Sequence, residues 1–334
     1  MVLESPEWLV IQPPPAFAML GSLDPKCGAV DVRTRLPDDD FARLAEAMRS
    51  RPDVMLFISE DYDDTIGDLE FLRYFPWLDR LSVSARSLQS LAGLRHLTHV
   101  RDLHLNGARR RLSLAPLAGL TSLRNLSVEG PARDPEALSA LTGLRSLTLR
   151  SITMQDLSVL APLTGLRALD LKLGGTTDLR PLPALTSLEY LELWMIRGLN
   201  DLSPIADATS LDTLFLQALK HVTELPALGK LTKLRRVHLE TMKGLNDLTP
   251  LLTAPALEEL LLIDMGHLQP SQVAPLAAHP ALARATMRLG SGKKDRAAAA
   301  ALRLPAADTT KAHPACVPVA ITEPRSRQDP EPPR

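Results

Sequence analysis

Glu192, His238 and Glu240 are side chains whose types could move a proton: two carboxylates and an imidazole, common members of a general acid–base set. His238 and Glu240 are two residues apart, which puts both on one face of an extended strand. Tyr190, Trp194, Phe215 and Arg236 lie nearby in the chain and are residue types that anchor a bound protein. Other candidates carry less chemistry. Cys27 and Cys316 stand alone, with no Cys-x-x-Cys pairing or Cys/His ligand cluster, and read as inert thiols. His96 and His99 are three residues apart without a Cys or carboxylate set beside them, so no metal site is expected. Arg109-Arg110-Arg111 reads as a solvated loop. No P-loop, G-x-G-x-x-G, H-E-x-x-H or G-x-S-x-G motif occurs, and no cofactor is expected.

The elements that must position these residues recur along the chain. One frame, L-x-x-L-T-x-L-x-x-L-x-L, reads LAGLTSLRNLSV from Leu117, LAPLTGLRALDL from Leu160, LPALTSLEYLEL from Leu182 and LGKLTKLRRVHL from Leu228. Its last L-x-L pair falls at Leu81/Val83, Leu103/Leu105, Leu126/Val128, Leu147/Leu149, Leu169/Leu171, Leu191/Leu193, Leu214/Leu216, Val237/Leu239 and Leu260/Leu262. The spacing is about 22 residues throughout. A degenerate tenth unit sits at Ala285/Met287. Leucine, at 66 of 334 residues, is about a fifth of the chain, whereas aromatics are 4%, which suits an array that packs one residue type repeatedly.

Over roughly Ile66 to Met287 these units resemble the leucine-rich-repeat family, in its short-repeat, internalin-like or phosphatase-regulator-like subclass. The resemblance implies an α/β solenoid: a curved parallel β-sheet on the concave face and short helical or 3₁₀ turns on the convex face. DLSPI at Asp201, DLTPL at Asp247 and DLRPL at Asp178 resemble the convex segment of internalin-type repeats. Ser203 and Thr249 precede a proline there, placing a capping hydroxyl ahead of Pro at a first helical position. The threonines at 98, 121, 142, 164, 186, 209 and 232 are expected to satisfy backbone groups where the chain enters each strand. One column departs from the family. Where asparagine is common after the second Leu of the pair, this chain has Ile152, Ile196, Leu219, Met242 and Met265, which fill space but cannot donate amide hydrogen bonds.

Period-2 alternation sends the residues flanking each L-x-L pair to the concave, solvent-facing side. After Trp77 the chain contains three aromatics, Tyr190, Trp194 and Phe215, and all three fall in those flanking columns. Phe215 is expected diagonally beside Tyr190 and Trp194, with Arg236, His238 and Glu240 on the next strand. The set Tyr190, Glu192, Trp194, Phe215, Arg236, His238 and Glu240 is therefore the expected binding site for a protein or peptide. The function expected is a non-enzymatic interaction scaffold; the alternative is the regulatory or targeting subunit of a separate catalytic chain. An acid–base role for Glu192, His238 and Glu240 is disfavoured, because an open sheet gives little shielding to tune them.

The ends differ from the middle. Residues 1–65 read as an N-terminal cap, with a helix over Asp38 to Ser50 and a strand over Val54 to Ile58; a small separate domain is the alternative. Residues 66–290 are the solenoid of about ten repeats. Residues 291–334 read as a short helix over Arg296 to Leu304, then a Pro-rich tail disordered from Pro305. Net charge is −1, which argues against nucleic-acid or membrane partners. The opening MVLESPEWLVIQPPP carries an acid where a signal peptide needs positive charge, and no run of eighteen apolar residues occurs. A cytoplasmic location is the expectation.

Overall fold

A computed structural model describes residues 2–5, 8–11, 23, 25–60 and 66–310. The first strands are β1 (Val2–Ser5), β2 (Trp8–Ile11), β3 (Ala29–Val32), β4 (Met55–Ser59), β5 (Arg80–Ser84), β6 (Asp102–Asn106), β7 (Leu112–Ser113) and β8 (Asn125–Glu129). They continue as β9 (Ala132–Arg133), β10 (Ser146–Arg150), β11 (Ala168–Lys172), β12 (Tyr190–Trp194), β13 (Thr213–Gln217), β14 (Arg236–Glu240), β15 (Glu259–Ile263) and β16 (Arg284–Met287). All but β7 and β9, which pair with each other, form one 14-stranded sheet in chain order. Only β1 in it is antiparallel, to β2. The helices are α1 (Asp38–Met48), α2 (Pro270–Val273) and α3 (Gly292–Leu302).

The L-x-L pairs are the strand centres. Leu147, Leu169, Leu191, Leu214, Val237 and Leu260 stand opposite one another on consecutive strands, and Ala285 of the degenerate unit closes that row on β16. From Leu81 through Leu262 the inward positions are buried, most of them completely. The sheet does not stop at the first repeat: Leu56 and Ile58 of β4 pair in register with Leu81 and Val83 of β5. One apolar core accordingly runs from Leu9 to Leu302.

Each return path is short, and most close with a 3₁₀ turn, such as Ser203–Asp207 or Thr249–Thr253. The cap differs from the expectation. Ser203 and Thr249 act as donors: their backbone N–H groups donate to Asp201 Oδ1 and Asp247 Oδ1, both at 2.8 Å. Ser158 on Asp156 and Arg180 on Asp178 repeat the bond at 2.7 and 3.0 Å. The Asp of D-L-x-P-L thus folds the turn by the side-chain-to-backbone bond two residues on that Asp makes readily. Among the threonines, Thr98 Oγ1 donates to the Pro76 carbonyl at 3.0 Å, whereas Thr186, Thr209 and Thr232 contribute backbone N–H groups.

The apolar column is buried, and sulfur replaces one asparagine bond: Met242 N–H donates to Met265 Sδ at 3.3 Å. Each strand from β10 to β15 is followed by a left-handed residue, Ser151, Leu173, Met195, Ala218, Thr241 and Asp264. The first five of these N–H groups reach the last carbonyl of the next strand at 2.8–2.9 Å. At the C-terminal end α3 begins at Gly292, earlier than Arg296, because Ser291 caps it by accepting from Lys294 N–H. The chain beyond is ordered further than expected: Ala285 N–H donates to the Pro305 carbonyl at 2.9 Å, and Ala307 is buried. Residues 311–334, with Cys316, lie outside the described residues.

Candidate functional site on the concave face

Constant register builds this face in rows. One row reads Tyr190–Thr213–Arg236, the next Glu192–Phe215–His238, the third Trp194–Gln217–Glu240. Exposure along them is uneven. Trp194, Phe215, His238 and Glu240 are half-buried. Tyr190, Glu192 and Arg236 are buried, at 9, 7 and 8% exposure, which corrects the expectation that these concave-face positions are solvent-facing. Strands are ~4.8 Å apart, so long side chains in one row cover each other. Tyr190 lies against Ala168 on β11, and Arg236 is enclosed by an acid and a carbonyl.

The aromatics pair with polar neighbours. Phe215 stacks on His238 with centroids 4.0 Å apart and planes 3° from parallel. The Arg150 guanidinium sits 5.2 Å from the Trp194 ring centroid, across the intervening Lys172. Tyr190 Oη donates to Glu192 Oε2 at 2.8 Å. Arg236 donates to Glu259 and to the Asp308 carbonyl, and Arg284 Nη1 reaches the other Glu259 oxygen at 3.1 Å.

Residues not anticipated from sequence fill the centre. Asp170 stands directly opposite Glu192, two carboxylates held together by Lys172 Nζ, 3.6 Å from one and 3.1 Å from the other. Thr148 Oγ1 donates to Asp170 Oδ2 at 3.1 Å. Burial pushes the Asp170 carboxyl up to about 6, with Lys172 opposing and Glu192 adding to the rise. The 22-residue spacing already implied that Asp170 faces Glu192. Burial, with a lesser push from Arg236, brings His238 down to about 4, so its ring is neutral at pH 7. Glu240, raised by burial, accepts from Gln217 Nε2 at 2.8 Å.

Among the described residues, the buried side-chain polar atoms without a hydrogen-bond partner are Trp8 Nε1, His104 Nδ1, Asn106 Oδ1, Arg150 Nε, Asp170 Oδ1 and His238 Nε2. Every one belongs to a concave-face position in the strand register. Arg150 Nε and His238 Nε2 do stand 3.1 and 3.3 Å from Glu129 and Glu240 carboxylates, but without hydrogen-bond alignment. Trp8 likewise lies near the Asp31 carboxyl. Buried polar atoms are normally satisfied.

The proton-transfer candidates do not converge. Phe215 stands between Glu192 and His238, which puts them two strand spacings, ~10 Å, apart. Among the described residues no group of three His, Cys, Asp or Glu could hold a metal ion. None of the described helices is long and apolar enough to cross a membrane.

Thirteen parallel strands, a leucine core and 3₁₀ returns define a leucine-rich-repeat solenoid. Solved structures agree. An internalin (inlF) from Listeria monocytogenes superposes with a TM-score of 0.59 at 20% identity, covering 87% of this chain and 84% of that one. A leucine-rich-repeat protein of Leptospira interrogans gives a TM-score of 0.50 at 15% identity, covering 89% and 92%. No protein-family model matches the sequence, and no curated protein matches it. At these identities the likeness is one of fold.

Proposed function

We propose that the chain is a non-enzymatic scaffold that binds a protein or peptide on the concave face over β12, β13 and β14. The observation that carries this reading is that the only aromatics of the repeat array past Trp77 all stand at concave-face positions of neighbouring strands, with Trp194 and Phe215 half-buried and Phe215 stacked on His238. Trp194 and Phe215, half-buried, supply apolar area to a partner; His238 and Glu240 border them with orienting polar groups. Tyr190 and Glu192 are buried supports that hold this surface in shape, and Arg236, held by Glu259, turns one end of its guanidinium to a main-chain carbonyl. The test selects a random-peptide display library on the wild-type chain and measures the selected peptides against Trp194→Ala and Phe215→Ala. Both variants should bind weakly while melting near the wild-type temperature. Unchanged affinity in both would move the site elsewhere.

A further inference from the structure

The C-terminal end of the concave face is already occupied by polypeptide. After α3 the chain turns back at Arg303, a left-handed residue, and joins the outer edge of β16 where the Pro305 carbonyl accepts from Ala285 N–H at 2.9 Å. It then leaves the edge and turns onto the concave face. The Ala307 carbonyl accepts from Thr286 Oγ1 on β16 at 2.9 Å, and the Asp308 carbonyl accepts from Arg236 Nη2 on β14. Arg236 Nη1 bonds Glu259, which stands opposite it on β15, so the guanidinium reaches out from β14 to meet the segment. Thr310 N–H and Oγ1 both bond Asp308 Oδ1, at 2.8 and 2.7 Å, which ends the segment in a turn. Ala307 is 5% exposed, so its methyl is seated on the protein while its neighbours Ala306 and Asp308 remain exposed.

What this face reads in the segment is backbone. Two successive carbonyls, 307 and 308, are taken by side-chain donors, and the buried Ala307 methyl calls for a small group at that position. Arg236 is held in place for this contact, with Glu259 fixing one end of its guanidinium, Arg284 fixing Glu259, and the other end turned to the incoming carbonyl. We propose that residues 305–308 are an intramolecular ligand of the concave face, and that the partner docks there as a polypeptide segment that offers main-chain carbonyls to Thr286 and Arg236 and displaces them. This rests on the reading of the concave face as the binding surface and adds the form of the partner.

The experiment uses the full chain and, as probe, a labelled synthetic peptide of residues 303–312. In the wild-type chain the tethered segment competes at an effective concentration on the order of millimolar. A segment that stays seated against that standard implies a free-peptide dissociation constant of roughly 0.1–1 mM, within reach of a titration by NMR or anisotropy. Ala307→Glu forces a carboxylate into the small seat and should unseat the chain's own segment without touching a strand. The probe should then bind at least about tenfold more tightly to Ala307→Glu than to wild type, and a second substitution, Arg236→Met, should abolish the gain. Melting curves identify any variant that has lost its fold; Thr286→Val, which removes one donor, serves as the milder replacement for Arg236→Met. Equal binding to wild type and Ala307→Glu, no binding to either, or a gain that survives both receptor substitutions would overturn the proposal. Because the probe reads only the β14–β16 end, those results would leave the Trp194 and Phe215 measurements standing.

Discussion

The two ends of the concave face are built in the same register and do opposite things with it. Over β2 to β4, Trp8, Val10, Ala29, Met55 and Phe57 form an apolar cluster of their own, separate from the leucine core, with exposures of 0–7%. Trp8 packs edge-on to Phe57 at 5.2 Å, and Asp31 in their midst is bonded by Ser59 Oγ and Arg33 Nε. Over β11 to β14 the same positions hold Asp170, Lys172, Glu192, Phe215 and His238, where a ring pairs with a polar group and carboxylates share a lysine. A repeat therefore dictates which way a side chain points, and leaves open whether the face it joins is a second core or a surface held ready for a partner.

The largest expected effect lies in the layer both ends share. Leu169 is fully buried. Leu169→Asp places an unpaired carboxylate there, at a cost of several kcal/mol, and neighbouring repeats stabilise each other. Hydrogen exchange should show protection lost in β10 and β12 as well as β11. Loss confined to β11 would mean that the units fold independently.

The comparison itself is sharpened by treating its two phenylalanines alike. Phe57 is 5% exposed and belongs to the apolar cluster, so Phe57→Ala should cost about 3 kcal/mol in chemical denaturation. Phe215 is half-buried with one face on His238, so Phe215→Ala should cost about 1 kcal/mol. Equal losses would make β13 part of a core and erase the distinction.

Proton linkage gives a third test. The Asp170 carboxyl is raised to about 6, so the folded chain holds its proton more tightly and stability falls as pH rises from about 4 to 6. His238 is lowered to about 4, so the unfolded chain holds the proton and stability falls as pH drops from about 6.5 to 4. The two oppose each other in one window. Asp170→Asn removes the first alone, so between pH 6.5 and 4 the variant should lose ~2 kcal/mol more than wild type. Parallel stability profiles would show that Asp170 is not held in the buried state described.

A smaller effect concerns the turns that align the rows. Ala218 holds a φ of 52°, a conformation that costs a non-glycine residue ~1 kcal/mol. Ala218→Gly should therefore stabilise by about 0.5 kcal/mol after glycine's greater unfolded-state freedom is subtracted. Ala168→Gly, in a strand, should destabilise. Equal signs would mean that the left-handed turn carries no strain.

Much of this was legible in the residues. The L-x-L spacing located the strands from Leu81 to Leu262 and the row each flanking residue joins, because side-chain period and repeat period are both rigid. It did not reveal that Tyr190 and Arg236 are covered. Cover depends on Ala168 being small and on a carbonyl from position 308, and neither enters a local pattern. The helix-cap expectation failed for a related reason: Ser203 and Thr249 are sound cap residues, but Asp201 and Asp247, two positions earlier, reach the same backbone sooner. The strands at 8–11 and 29–32 repeat no leucine phrase, so only their pairing reveals them.

The most direct test of the concave-face account is the affinity of selected peptides for the wild-type chain, Trp194→Ala and Phe215→Ala, read beside each protein's melting temperature. Loss of a true anchor costs ~2 kcal/mol, about thirtyfold in affinity. The account predicts that loss in both variants with melting shifted by only a few degrees. Wild-type affinity in both, with the fold intact, would contradict it.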